Sequence, residues 1–528
     1  MALQPPKFAI SNLILPQVFV LLGVGLLLRL IHLEQKIFWV DEVLTALRIA
    51  GYSKAEVTQQ LSDGLPRLPI DLLAYQQINR GFPAAVQAFR QSPEHAPLYF
   101  LLLRLWAEAF GSSVLALRSF SVGCSLLLLG VVYELSRSLF NLRAGLIALG
   151  LTAISPLFIA YAQEARPYSF WLLMLGLNSL CLLWAVRQNQ PWQWLLYALS
   201  LTLSLYSSLL TGLVLLGQIV YVGLAGSHWR RFGLAVLAAG TAFSPWLWLV
   251  AQQWHKLQAN TTWMRLPLDG LSKLTVWFYS VAILYFDVPV RLEPWWVAAA
   301  ELICAAVVVG LIGWAFTWVF TRAFARALGH AFAASRGDAS FIGGLAFAVP
   351  LTLIGLDLIS NGRYSTAPRY LLPFHLGAQL AVSGWLSSLK RQVALGFLVA
   401  LCLMSNAFHF NSSPPYLKSR SLYNPKIAEI INQELQPVVL SESQNVIDIL
   451  SLSHLLNPKT QIKILPTAQL QTQLQTQLQT QLQTPSVCSV FIFNPSASVQ
   501  SAASLTQLYQ PQLLHPGEFA LTLWWLKC

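Results

Sequence analysis

Apolar runs close to twenty residues long recur from residue 11 to residue 410. A run of that length crosses the roughly 30 Å hydrocarbon core of a bilayer as a helix. Lipid offers no partner to an unpaired amide, so a chain with many such runs folds as a polytopic helical bundle. Charge is correspondingly scarce, at 10% of the 528 residues, against about 25% in soluble domains. The first run, residues 11–31, follows a single Lys7 and carries no A-x-A cleavage site, so it reads as a retained helix and not a signal peptide. The net charge of +12 is spread with no long basic stripe, and no nucleic-acid partner is expected. Cys124, Cys181, Cys304 and Cys402 lie in apolar runs and read as packing residues. No C-x-x-C pair points to zinc or redox chemistry. Cys488 and Cys528 lie in the tail, where a disulfide is one option.

Inner loops collect Lys and Arg. Arg137, Arg143, Arg187, Arg230, Arg231, Arg322, Arg326, Arg336, Lys390 and Arg391 make ten cations in five turns, against only Glu134 and Asp338. Placing all five turns inside predicts eleven spans, at 11–32, 115–136, 144–161, 168–187, 193–207, 208–226, 233–252, 295–318, 341–360, 368–388 and 392–410. The N-terminus is then inside and the tail outside, as expected of a multi-pass protein of the plasma (inner) membrane. Two apolar stretches, 96–111 and 271–286, are read as external in-plane helices. The first carries Arg104 and Glu108 four residues apart, a polar stripe that suits an interfacial helix. Residues 33–114 become a large external loop.

Composition changes after Phe410. Residues 411–528 hold the strand-like runs "PVVLSES", "QIKILP", "SVFIFN" and "FALTLWWL", with helix-like stretches such as "NVIDILSLSHLL" between them. This predicts a small external α/β domain. Four tandem copies of "QLQT" at 469–484 interrupt it and read as a flexible surface insertion. "NSS" at 411–413 matches a short glycosylation sequon.

Polar residues with a claim to chemistry fall on the external side: Asp41 and Glu42 in "IFWVDEVLTALRIAGYS", then "SPEHAPLY", "YAQEARPYS" and "SNGRYSTAPRYLLPFH". Adjacent carboxylates repel and resist desolvation, which favours a use for the charge. The plainer reading makes Asp41 the cap of a helix beginning at Glu42. His95 is equally readable as an interfacial histidine, and Arg369 as a snorkelling anchor. A transporter or lipid flippase is the alternative function, but such proteins carry their ionisable groups at mid-membrane. Here they cluster at helix ends, His375 excepted. A non-catalytic scaffold would not need acids, His and Arg to converge.

Several motifs together resemble one family. They are the acidic pair after the first helix, "HAPLY" at 95–99, "GSSVLALR" at 111–118, "SRSLFNLRAG" at 136–145, "SPLFIAYAQEARPYS" at 155–169 and "PRYLLP" at 368–373. Their order and spacing resemble the membrane-embedded GT-C glycosyltransferases of the protein O-mannosyltransferase and aminoarabinose transferase group, over residues 10–410 and not the tail. The resemblance implies a GT-C transmembrane domain (1–410) and transfer of a sugar from a polyprenyl-phosphate donor to a hydroxyl of a protein, lipid or glycan acceptor, with inversion. Asp41 is then the general base, with Glu42 and Glu164 as further acids. His95, Arg166, Arg369 and Tyr370 would hold the donor phosphate. Asp41, Glu42, Glu164 and His95 would also suit a divalent metal ion such as Mg, Mn or Zn. One departure stands out. Aminoarabinose-type relatives carry an Asp soon after "A-R-P", where this chain has Tyr168, and its acid is Glu164. No Gly-rich strand-to-helix turn is present to cradle a nucleotide.

Overall fold

The computed structural model describes residues 11–226, 228–288, 294–328, 332–411, 421–481, 489–505, 509–512 and 521–526. Cys488, Cys528, most of the sequon and the end of the QLQT repeat lie outside them. The chain forms two compact units that interleave in sequence. One comprises residues 1–33, 92–99 and 118–411; the other comprises 34–91, 100–117 and 412–528.

The first unit is a helical bundle of an integral membrane protein. Each of the eleven predicted spans coincides with helix, at Ser11–Leu30, Val114–Leu139, Leu142–Ile154 continued by Pro156–Ala162, Tyr168–Gln188, Pro191–Leu205, Thr211–Ala225, Trp229–Gln252, Trp295–Leu328, Phe332–Ser360, Leu372–Ser388 and Val393–Asn411. Among the described residues six of these are long and apolar enough to cross a membrane alone, and a seventh crossing results if the bent pair counts as one. The 15-residue helices at 191–205 and 211–225 reach only about 22 Å, short of a typical hydrocarbon core. Residues 372–386 are buried on every side, so that helix lies at the centre of the bundle. Gly217 and Gly344 let their helices meet closely: a Cβ on Gly344 would come within 2.6 Å of the Gly217 carbonyl oxygen. Cys124 and Cys402 are buried free thiols; Cys181 and Cys304 are free and half-buried.

The two stretches set aside from the spans form helices of 13 residues, Leu98–Phe110 and Gly270–Ala282, about 20 Å long. Arg104 reaches Glu108 at 2.6 Å, but its guanidinium is buried and also donates to the Ile49 and Arg80 carbonyls. The expected polar stripe is therefore partly an internal clamp of the large loop.

The second unit is built on a five-stranded mixed sheet: β1 (Val438–Glu442), β2 (Gln461–Leu465), β3 (Val490–Phe493), β4 (Tyr509–Gln512) and β5 (Leu523–Leu526), in the order β2-β1-β3-β5-β4. The inner parallel strands β1 and β3 are buried almost throughout, while the edge strand β2 leaves Gln461 exposed and Lys463 half-buried. Four of the five were legible as strand-like runs. β4 was not, because "YQPQ" has poor strand propensity; Pro511 is tolerated since β4 is an edge strand. Sequence order suggested a domain boundary at 410/411. The compact unit instead joins the tail to the large loop. Arg67 pairs antiparallel with Ile462 and covers the free edge of β2. Ser451 Oγ donates to the Phe38 carbonyl at 2.7 Å, and His454 lies 3.0 Å from Gln76.

The QLQT repeat also differs from expectation. Its start is not a flexible insertion but part of the Thr467–Gln481 helix. A four-residue period is close to the helical 3.6, so successive leucines share one face. Leu470 and Leu474 are buried in the sheet core with Leu440, Ile492, Val499 and Trp524.

Candidate active site

Asp41 and Glu42 lie in the loop-and-tail unit, on the Val40–Ala50 helix. The capping reading needs correction. The helix begins at Val40, Trp39 occupies the N-cap position, and no side-chain cap bond is made there. Both acids therefore fall inside the first turn, where exposed amides and the helix dipole favour negative charge. Glu42 is fully buried and Asp41 half-buried. The amphipathic run Val43, Leu47 and Ile49 anchors the helix behind them.

The remaining candidates belong to the helical unit. Glu164 and Arg166 sit in the turn between Pro156–Ala162 and Tyr168–Gln188, at 1% and 3% exposure, so the turn is interior and not a solvated loop. The Arg166 amide donates to the Glu164 carbonyl at 2.8 Å, and its own carbonyl accepts from Ser121 at 3.4 Å. The guanidinium stands over the Tyr168 ring at 5.5 Å, with a long 3.5 Å contact to its hydroxyl. Tyr168 thus supplies a ring face to the neighbouring cation. Tyr161 meets the Tyr168 ring edge-on at 4.9 Å. Glu164, Tyr168, Arg369 and Asp287 all lie within electrostatic reach of Tyr161. Two sequence candidates that stand some two hundred residues apart are therefore gathered around one tyrosine.

Arg369 stacks 5.4 Å from the rings of both Trp263 and Tyr370, which are themselves parallel within 27°. Stacking on aromatic faces pre-organises a guanidinium, which a Lys cannot match. The loop is tied down by side-chain hydrogen bonds. Asp357 is buried and accepts from the Ser365 amide at 2.9 Å and its hydroxyl at 2.5 Å. Arg363 donates to the Trp263 carbonyl at 2.8 Å. His95 faces Glu94 at 3.8 Å, and Glu94 accepts from Asn260 at 3.0 Å. Among the described residues no group of three or more His, Cys, Asp or Glu is placed to hold a metal ion.

Sequence reasoning missed three residues. Arg118, at 1% exposure, donates to the Leu33 carbonyl at 2.6 Å. It closes the "GSSVLALR" motif and was the one signal available. Asp287 accepts from the Tyr279 hydroxyl at 2.9 Å and lies 3.1 Å from His409. Trp263 had no motif to mark it.

One comparison bears directly on these residues. A family model described as dolichyl-phosphate-mannose-protein mannosyltransferase matches residues 94–250. That stretch holds His95, Arg118, Glu164 and Arg166, and the resemblance drawn from the motifs is borne out there. No curated protein matches the chain. Among solved structures, ArnT from Cupriavidus metallidurans is similar in its apo state at 13% identity, over 97% of this chain and 98% of that one, with a TM-score of 0.38. Its undecaprenyl phosphate complex is similar at 15% identity, over 96% and 98%, with a TM-score of 0.39. The Archaeoglobus fulgidus oligosaccharyltransferase, solved with Zn and sulfate, is similar at 14% identity over 69% and 54%, with a TM-score of 0.39.

Proposed function

We propose that the chain is a membrane glycosyltransferase that moves a sugar from a polyprenyl-phosphate donor to a hydroxyl acceptor at the external face. The observation that carries this reading is the mannosyltransferase family match over 94–250, which spans the buried Glu164–Arg166 turn. Asp41 removes the acceptor proton as the acceptor oxygen bonds to the sugar C1. The C1–O bond to the lipid phosphate breaks, and the phosphate leaves with the electron pair. Attack opposite the leaving group inverts C1. Arg166, Arg369, His95 and Tyr370 stabilise the departing charge, the arginines through their planar forks. Glu42 orients Asp41, and Glu164 holds the Arg166 turn. Membrane lipid surrounds the donor's polyprenyl chain.

The test is transfer by purified protein in nanodiscs. A synthetic polyprenyl-phosphate sugar should serve as donor, and the matching nucleotide sugar should not. Transfer from the nucleotide sugar alone would overturn the reading.

A further inference from the structure

The site-bearing turn hangs on a broken helix. Leu142–Ile154 and Pro156–Ala162 meet at 57°. Pro156 has no amide to offer the Thr152 carbonyl, and Ser155 leaves the helical conformation with ψ 126°. The carbonyls at the end of the first segment are left without helical partners. In an apolar interior each such group costs several kcal/mol.

Two helices, Ser11–Leu30 and Val393–Asn411, supply the missing donors. Arg29 is fully buried, and its Nη2 donates to Thr152 at 3.2 Å while Nη1 donates to Ala153 at 2.5 Å. Asn406 donates to Ile154 at 2.8 Å. Arg29 is itself fixed by Ser125 at 3.0 Å and by the Gly25 carbonyl at 2.9 Å. At the far end of the short segment the exchange is reciprocal. Gln163 donates to the carbonyls of Leu28 at 2.8 Å, Arg29 at 3.3 Å and Ile31 at 3.0 Å. The last turn of the first helix therefore holds the Pro156–Ala162 segment at both ends. A buried intramembrane arginine suggests a functional role, and here the partners it serves are carbonyls that the break exposes.

We infer that Arg29, Asn406 and Gln163 are positioning residues that set the angle of the break and, through it, the place of Glu164 and Arg166. This rests on the reading of that turn as part of the transferase site. The lever arm is seven residues, about 10 Å. A 10° swing at Ser155 would shift Glu164 by about 2 Å, and a misplacement of about 1 Å can cost 100-fold in rate.

Two variants of the purified protein, Arg29→Met and Gln163→Leu, test the inference through amide hydrogen exchange and donor kinetics. Both should raise exchange over residues 156–168 while the other helices stay protected. Both should lower turnover at least 10-fold. Arg29→Lys should recover part of the loss, because an ammonium reaches fewer of the carbonyls than the fork does. Gln163→Leu keeps the test open if Arg29→Met does not fold. Unchanged exchange over 156–168 in Gln163→Leu, or faster exchange there with unchanged turnover, would overturn the inference while wild-type transfer keeps the function standing. Wild-type protein that ignores the lipid-linked donor would instead sink the proposed function, and the exchange pattern alone would then judge the clamp.

Discussion

Arg29 in the helical unit and Glu442 in the loop-and-tail unit are both fully buried, and both are satisfied, but in opposite senses. Arg29 gives its donors to backbone carbonyls that a broken helix cannot pair. Glu442, at the end of β1, takes bonds from the Thr467 hydroxyl at 2.6 Å, the Ser496 hydroxyl at 2.9 Å and the Ser496 amide at 2.5 Å. In one unit the side chain repairs the backbone. In the other the backbone and hydroxyls receive a carboxylate where the sheet meets its helices. The helical unit is therefore bent and clamped at a designated point, while the sheet of the loop-and-tail unit is stiffened by bonds at the end of β1.

The largest effect should appear if that stiffness is removed. Leu470→Ala empties a position buried in the sheet core, and should cost about 2–5 kcal/mol. Limited proteolysis should then cut within 421–481 while the helical unit stays intact. Equal loss of both units would break the comparison, since the sheet would not be a separate element of stability.

That prediction also marks where the sequence was readable. The spans were legible because lipid demands long apolar runs, and the strands because covered sheet faces demand short ones. Leu470 was hidden by its own repeat, since low complexity resembles disorder until the helical period is matched to a core. The union of loop and tail was illegible for a different reason. Ser451 and Phe38 stand 413 residues apart, and no local pattern records such a contact. Among the candidate site residues, Glu164, Arg166 and Arg369 were marked by motifs, while Trp263 and Asp287 stand out only through long-range contacts that a linear motif does not encode.

The second effect asks whether the loop-and-tail unit supplies chemistry as well as support. Asp41→Asn keeps the shape of the side chain but removes its basicity, and should lower turnover about 100-fold or more, a barrier increase of about 2.7 kcal/mol. Thermal stability should be nearly unchanged, because Asp41 is only half-buried. Near-normal turnover would confine the chemistry to the helical unit and leave the acidic pair as a first-turn charge.

The third effect sharpens the helical side of the comparison. On the proposed function, Arg369→Ala removes a charge-assisted partner from the donor phosphate, worth about 1.5–3 kcal/mol. Transfer should fall by roughly 10- to 150-fold at subsaturating donor. Arg369→Lys should recover only part, because Lys packs less well against the Trp263 and Tyr370 rings. Full recovery by Lys would show that charge alone matters and that the aromatic pair is incidental.

The smallest effect concerns the edge of the sheet. Asp63 and Arg67 form a two-pronged pair, with both oxygen–nitrogen distances at 2.7 Å, and Arg67 is the residue whose backbone covers β2. The Arg67 hydrogen bonds are the main cause that holds the Asp63 carboxyl below its ordinary value. A carboxylate depressed in the folded state stabilises it above the unfolded pKa, near 4, and that contribution fades as pH falls through the lower folded value. Asp63 is well exposed, so solvent and salt limit the pair to about 0.2–1 kcal/mol. The readout is amide exchange at Gly64, Arg67 and Ile462, whose amides form the edge pairing. Corrected for intrinsic rates, their protection should decline below pH 4 in the wild type. In Asp63→Asn it should be weaker at neutral pH and flatter across the acid range. A pH response that survives in Asp63→Asn would mean that another acid governs the edge, and that the loop is held to the sheet by backbone pairing alone.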